Sequence, residues 1–207
     1  MKRRLPLHVH ISTLFIVLIL LVGGVIGGLG YYNSQKILQA TAGELNTRIS
    51  RETLGEFTNL IGPAEMAARL LSYDGITQAK SLAERLKNLG FMREALNNSA
   101  ALTSLYVGYG NGDFFMVRRF RAPEEGKTFN APPDATYMVQ SIERGDDAAR
   151  GSFIFFDAAL KLLRSDDLPD YAMSYDPRTR DWYAAAQAAS GQIKTAPYLF
   201  FTSQKVG

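Results

Sequence analysis

The sequence predicts an α+β protein: an N-terminal transmembrane helix, a long stalk helix running on from it, and then an antiparallel sheet with helices packed on it. Three observations predict this. No Lys, Arg, Asp or Glu occurs between Arg4 and Lys36, and the run 11–32 is apolar. Apolar residues then recur at helical spacing as far as residue 96. Beyond residue 104 the texture changes to short apolar runs punctuated by Gly, Asn and Pro. Helices first and strands afterwards put the helices on one side of a sheet.

An apolar run of this length is enough for a bilayer core, which takes about 20 helical residues. Lys2, Arg3 and Arg4 in front of it place the N-terminus in the cytoplasm. Residues 1–10 therefore read as a cytoplasmic tail, 11–32 as a transmembrane helix, and 33–207 as extracytoplasmic. A cleaved signal peptide fits less well, because the run ends Gly-Leu-Gly-Tyr-Tyr-Asn rather than in a small-x-small site. Tyr31 and Tyr32 suit the interfacial aromatic belt. Gly23 with Gly27 and Gly24 with Gly28 have the spacing that lets two membrane helices approach, which points to a homodimer. His8 and His10 read as interfacial residues rather than as a metal site.

Through the stalk, Leu38, Ala42, Leu45, Ile49, Phe57 and Leu60 make an apolar stripe. Gly62-Pro63 is expected to break the helix, with a second helix over 63–71 and a turn at Tyr73-Asp74-Gly75. A third helix over 77–96 shows Ala79, Leu82, Ala83, Leu86 and Leu89 on one face, and Asn97-Asn98-Ser99 ends it.

Strands 105–109 and 114–117 flank Gly110-Asn111-Gly112-Asp113, a hairpin signal. Gly108, Gly110 and Gly112 have the wrong spacing for a dinucleotide loop, and no helix follows them to hold phosphates. Alternation sends Arg118 to one face and Arg119 and Arg121 to the other. They read as a strand end entering a solvated loop over 122–127, not as a nucleic-acid patch. Strands follow at 137–142 and 153–156 with a charged connection between them. A short helix is expected over 157–164, then a loop through Asp166, Asp167, Pro169 and Asp170. A strand over 198–202 ends in a polar turn at Ser203-Gln204-Lys205.

The candidate site is the stretch 175–198. Asp176-Pro177 starts a turn. Thr179 is expected to cap a helix over 180–189, which Ser190-Gly191 stops. Arg180 and Tyr183 would then share a face, with Tyr198 arriving on the next strand. A guanidinium offers a planar fork of donors matched to a carboxylate, so these residues and Trp182 can cradle a small carboxylate. The same residues can also form a packed corner with no guest.

The pattern Tyr175-Asp176-Pro177-Arg178-x-Arg180-x-Trp182-Tyr183, followed by Pro197-Tyr198, resembles the double Cache (dCache_1-type) sensor domain, an extracytoplasmic module of bacterial transmembrane receptors. The resemblance implies a PAS-like membrane-distal module, anchored in a bacterial inner membrane with the sensor domain in the periplasm. It assigns Tyr175, Arg180 and Trp182 to a ligand carboxylate, and Tyr183 and Tyr198 to the amine side of an amino acid. Asp181 departs from the pattern, where Pro is usual. The acidic residue that would pair with the ammonium is expected a few tens of residues after Tyr198. The family pattern continues with a second module, a second membrane helix and a cytoplasmic output domain, so the chain reads as the incomplete N-terminal portion of a receptor.

Cysteine is absent, which removes thiolate chemistry, and both histidines lie in the first ten residues. Asp146-Asp147 and Asp166-Asp167 read as solvated turn formers rather than catalytic pairs. No catalytic residue, metal or cofactor is expected, and any enzymatic activity belongs to an output domain outside this sequence. The leading expectation is a membrane-anchored sensor for a carboxylate or amino acid. The alternatives are a structural or dimerisation module, and the sensory N-terminus of a cyclic-nucleotide cyclase or cyclic-dinucleotide phosphodiesterase. A net charge of +3 does not announce a nucleic-acid partner.

Overall fold

The structure is a computed structural model that describes residues 7–145 and 148–203, with backbone alone at 7–10, 39–42, 46, 47 and 60. The basic cluster Lys2-Arg3-Arg4, the acids Asp146-Asp147, Gln204 and Lys205, and the side chains of His8, His10, Ala42 and Leu60 lie outside the described residues. The chain divides into two units, residues 1–57 and 58–207.

The first unit is helical. Helix α1 (Leu7–Tyr73) begins here and carries the apolar run, whose Leu14, Ile19, Leu20 and Ile26 side chains are exposed. It is long and apolar enough to cross a membrane, with a mean hydropathy of 2.5 over an 18-residue stretch. The stalk residues Leu38, Leu45, Ile49 and Phe57 are exposed as well. The expected break at Gly62-Pro63 does not occur, and Pro63 lies inside α1. Proline removes the donor for the carbonyl of Asn59. Both Pro63 and Asn59 are exposed, so water can take the place of the missing bond and the helix runs on.

The second unit is an α+β domain built on a five-stranded antiparallel meander in the order β1-β2-β3-β4-β5. Its strands are β1 (Ser104–Gly108), β2 (Phe114–Arg119), β3 (Tyr137–Arg144), β4 (Ala149–Phe156) and β5 (Leu162–Asp167). The predicted hairpin is the β1–β2 pair. Tyr109 N–H donates to Asp113 O at 3.0 Å and Gly112 N–H to Tyr109 O at 2.9 Å. Gly112 has φ +89°, a conformation that favours glycine, and a Cβ there would meet Arg144 and Arg178.

Strand β5 replaces the helix expected over 157–164, and it contains Asp166 and Asp167. Asp157 decides this, because its Oδ1 accepts from Ala159 N–H at 2.9 Å and Lys161 N–H at 2.8 Å. The carboxylate closes a tight turn that returns the chain to the sheet.

The third predicted helix is also divided. It becomes a 3₁₀ turn (Gly75–Gln78), α2 (Leu82–Leu86) and α3 (Leu89–Asn98). Asp74 and Ser81 each use a side-chain oxygen to accept a backbone N–H, from Ile76 and Glu84 respectively, and so restart the chain twice. A further short helix, α4 (Pro123–Lys127), lies where a loop is expected.

Side-chain alternation separates the two faces of the sheet. Phe115, Val117, Val139 and Ile154 share a core with Ala67 and Leu71 of α1 and with Leu89, Met92 and Leu96. Phe114, Met116 and Ile142 face the opposite way and pack with Tyr171, Ala172 and Tyr175.

A buried ion pair ties α2 to the hairpin. Arg85 Nη2 donates to Asp113 Oδ2 at 2.5 Å, and the two side chains are 1% and 4% exposed. Asp113 Oδ1 accepts Arg144 N–H at 2.6 Å. Arg85 also lies 4.2 Å from the centre of the Tyr109 ring.

Removing one member of a buried pair strands the other charge, at a cost of about 3–5 kcal/mol. Asp113→Ala is therefore expected to lower the unfolding free energy of the full chain in detergent by about that amount. Arg85→Met with Asp113→Leu should recover most of the loss. Urea unfolding followed by near-UV circular dichroism checks both.

Candidate functional site

The stretch 175–198 is held from its first residue. Helix α5 (Pro169–Ser174) ends at Tyr175, and Arg144 Nη2 donates to Ala172 O at 3.0 Å and Tyr175 O at 2.7 Å. Asp176 then caps a 3₁₀ turn (Pro177–Thr179), its Oδ1 accepting Arg178 N–H at 2.9 Å. The Arg178 guanidinium grips the same carboxylate and holds it below the usual carboxylate range.

Helix α6 (Asp181–Ala188) follows, with Arg180 as its N-cap and no side-chain capping bond. This corrects the expected cap. Thr179 donates its hydroxyl to Asp176 O at 2.8 Å instead.

Tyr175, Arg180, Trp182 and Tyr198 line one cavity, together with Tyr106 of β1, Gln140 of β3 and Tyr171 of α5. Tyr183 is not among its lining residues. Its ring lies with that of Trp182 against Gly108, where an added Cβ would stand 2.8 Å from Trp182 Cη2 and 3.1 Å from Tyr183 Cδ2. Glycine at 108 thus lets α6 close onto the edge strand. The i, i+3 argument fails here because Arg180 has extended backbone angles, φ −92° and ψ 142°, and stands outside the helix.

The cavity is filled by the protein's own chain. Residues 198–202 lie across it, with a single bridge position at Leu199 where a strand is expected. Arg180 Nη2 donates to Leu199 O at 3.0 Å, and the Tyr106 and Tyr198 hydroxyls are hydrogen-bonded. Gln140 Nε2 donates to Thr202 Oγ1 at 3.2 Å. What remains is about 20 Å³, room for about one water. Among the described residues Arg180 forms no ion pair, and no Asp or Glu lines the cavity.

Burial decides the ionisation of the phenols. Tyr175 is pushed up to about 12 by burial, against the opposing pull of Arg180 and a hydrogen bond from Trp182. Burial also raises Tyr106, reinforced by Tyr198, and raises Tyr171 well above its ordinary value. Each is a neutral donor at physiological pH. Among the described residues no cluster of His, Cys, Asp or Glu is placed to hold a metal ion.

Tyr106, Gln140 and Tyr171 are part of the arrangement but were not read from the sequence. Gln140 carried a usable signal, as a polar residue inside the apolar strand 137–142. The arginines after β2 need a correction. Arg118 is buried, Arg119 donates to Leu96 O at 3.4 Å, and Arg121 Nη2 donates to Ser99 O at 2.6 Å and Leu102 O at 2.8 Å. They are not a strand end dissolving into a solvated loop. Arg119 and Arg121 bind carbonyls at the end of α3, where a helix favours positive charge.

This chain is similar to adenylate cyclase 1 of Rhizobium meliloti (strain 1021). The two are 30% identical over 126 residues, which is 60% of this chain and 19% of the cyclase. The chain thus spans about a fifth of the length of that relative. No protein-family model matches the chain, and no solved structure matches it.

Alkaline titration tests the site phenols. A free tyrosine ionises near about 10. A phenol whose folded value is raised contributes stability that is complete below pH 10 and is lost as pH rises through the folded value, about 12 for Tyr175. The urea midpoint is expected to hold up to pH 10 and fall between 10 and 12, and Tyr175→Phe should remove part of that fall.

Proposed function

We propose that this chain is the sensory part of a membrane-anchored bacterial receptor of double Cache type. The unit after Phe57 faces the periplasm, binds a small carboxylate ligand, and passes the signal through the membrane helix to a cytoplasmic output domain. The observation that carries this reading is Arg180. It lies at a cavity with Tyr175, Trp182 and Tyr198, its recorded bond goes to a backbone carbonyl, and no acid lines the cavity among the described residues. A guanidinium so placed can exchange that carbonyl for a carboxylate, to which its hydrogen bonds are about twice as strong. An amino acid is a candidate ligand, its carboxylate on Tyr175, Arg180 and Trp182 and its amine toward Tyr198.

The apolar helix near the N-terminus supports the anchor, and Lys2, Arg3 and Arg4 support a cytoplasmic N-terminus. Gly23, Gly24, Gly27 and Gly28 support a homodimer through the membrane helix. The similarity to adenylate cyclase 1 favours a nucleotide cyclase among the possible outputs.

A ligand stabilises the folded state by mass action. Thermal unfolding of the full chain in detergent, screened against L-amino acids and small organic acids, is expected to give at least one upward shift. A purely structural or dimerising domain would give none. Calorimetric titration with the best hit should find Arg180→Ala weaker by more than about 2 kcal/mol, the value of a buried charged hydrogen bond. Unchanged affinity would remove Arg180 from the site.

A further inference from the structure

The site-facing side of the sheet holds a second guanidinium that the reading above leaves unused. Arg118 takes the next site-facing position of β2 after Met116, about 6.8 Å further along the strand, and it pairs with Met138 of β3. It is 8% exposed, and its Nε and Nη2 are buried with no hydrogen-bond partner. Aromatic rings lie against it, with Phe200 and Phe129 ring centres 4.9 Å and 5.4 Å away, and Glu125 attracts it through space.

The other arginines of this domain's core are used differently. Arg85 and Arg144 bind carboxylate or carbonyl oxygens and Arg121 gathers carbonyls at the end of α3, although Arg85 and Arg119 each leave a buried Nε unmet as well. A buried donor left unmet needs an account of its own. Glu125 faces the same hollow and attracts Arg118, but its Oε2 accepts Arg121 N–H at 3.0 Å, and among the described residues the two side chains are not in ion-pair contact. Arg119 borders the hollow too, so its balance stays cationic.

The hollow at Arg118 has a volume of about 80 Å³. Phe200 borders both this hollow and the cavity of Arg180. Displacing that ring would join the two hollows into one trough, with Arg180 and Gln140 lining one part and Arg118 the other. Thr103, Thr128 and Ser203 add hydroxyls at the Arg118 end.

We propose that Arg118 is a second anion-binding group of this site, and that the ligand is a short linear dicarboxylate with one carboxylate on Arg180 and the other on Arg118. The proposal rests on the carboxylate reading of Arg180. It narrows that reading from any small carboxylate to a dianion, because the second end carries two guanidinium groups against the one carboxylate of Glu125, which already accepts the Arg121 N–H.

The test is calorimetric titration of the full chain in detergent with succinate, glutarate and butyrate, for the unaltered protein, Arg118→Met and Arg180→Ala. At least one diacid is expected to bind about tenfold tighter than butyrate or more, as a second charge-assisted contact allows. Arg118→Met should bring that diacid to the affinity of butyrate and leave butyrate itself unchanged, and Arg180→Ala should weaken all three. Diacids no tighter than butyrate, or a preference that survives Arg118→Met, would overturn the dicarboxylate while leaving Arg180 as a carboxylate site. Failure of all three to bind would overturn both readings for these acids. Ligand-free stability gives a second readout. Methionine keeps the length of the stem and removes the unpaired charge, so the urea midpoint of Arg118→Met should equal or exceed that of the unaltered chain. A lowered midpoint would make Arg118 a packing residue and sink the proposal.

Discussion

The carboxylate of Asp113 is the constraint on which the arrangement of the second unit depends. It sits just after the hairpin turn, nearly sealed from solvent, and binds in two directions at once: one oxygen to Arg85 of α2, the other to the backbone of Arg144 at the end of β3. Coulombic gain in such a place is largely offset by the cost of desolvating two ions, so the pair does more to fix geometry than to add stability. The chain of positions continues from there. The Arg144 side chain reaches Gly112 O at 3.0 Å and then the carbonyls of Ala172 and Tyr175. A helix on one face of the sheet and the first aromatic residue of the site on the other are therefore located from the same turn.

The parts of this structure legible in the sequence were those set by local chemistry. Gly110-Asn111-Gly112-Asp113 between apolar runs specified the β1–β2 hairpin, and period-two alternation put Arg118 on the opposite face from Arg119. Of the residues that spacing set apart, Tyr175, Arg180, Trp182 and Tyr198 line one cavity and Tyr183 does not. The misses arose where a single side chain overrode a pattern. Asp157 closed a turn in a stretch with helical composition, and Ser81 restarted a helix that periodicity ran straight through. Pro63 failed to stop α1 because its side faces water. Arg118 was misread for a different reason: alternation gives the face on which a residue lies but not what later covers that face. Phe129 and Phe200 do the covering, and Phe200 lies far from it in sequence.

Occupation of the site by residues 198–202 sets a condition on any signal. Arg180 on Leu199 O, Gln140 on Thr202 and Tyr106 on Tyr198 are bonds that a guest in the same space must displace. Each is worth about 1 kcal/mol net, and a carboxylate on Arg180 about twice a carbonyl. In the proposed receptor the segment and the ligand are competitors for one face of β2, which makes two mutually exclusive states. A ligand that fitted beside the segment without moving it would bind both states alike and shift nothing. One that replaces it changes the packing over Met116 and Arg118. The alternate residues of that strand, Phe115 and Val117, share a core with Ala67 and Leu71 of α1. Because a close-packed core does not deform continuously, a shift of β2 large enough to admit a guest would also be felt at Ala67 and Leu71.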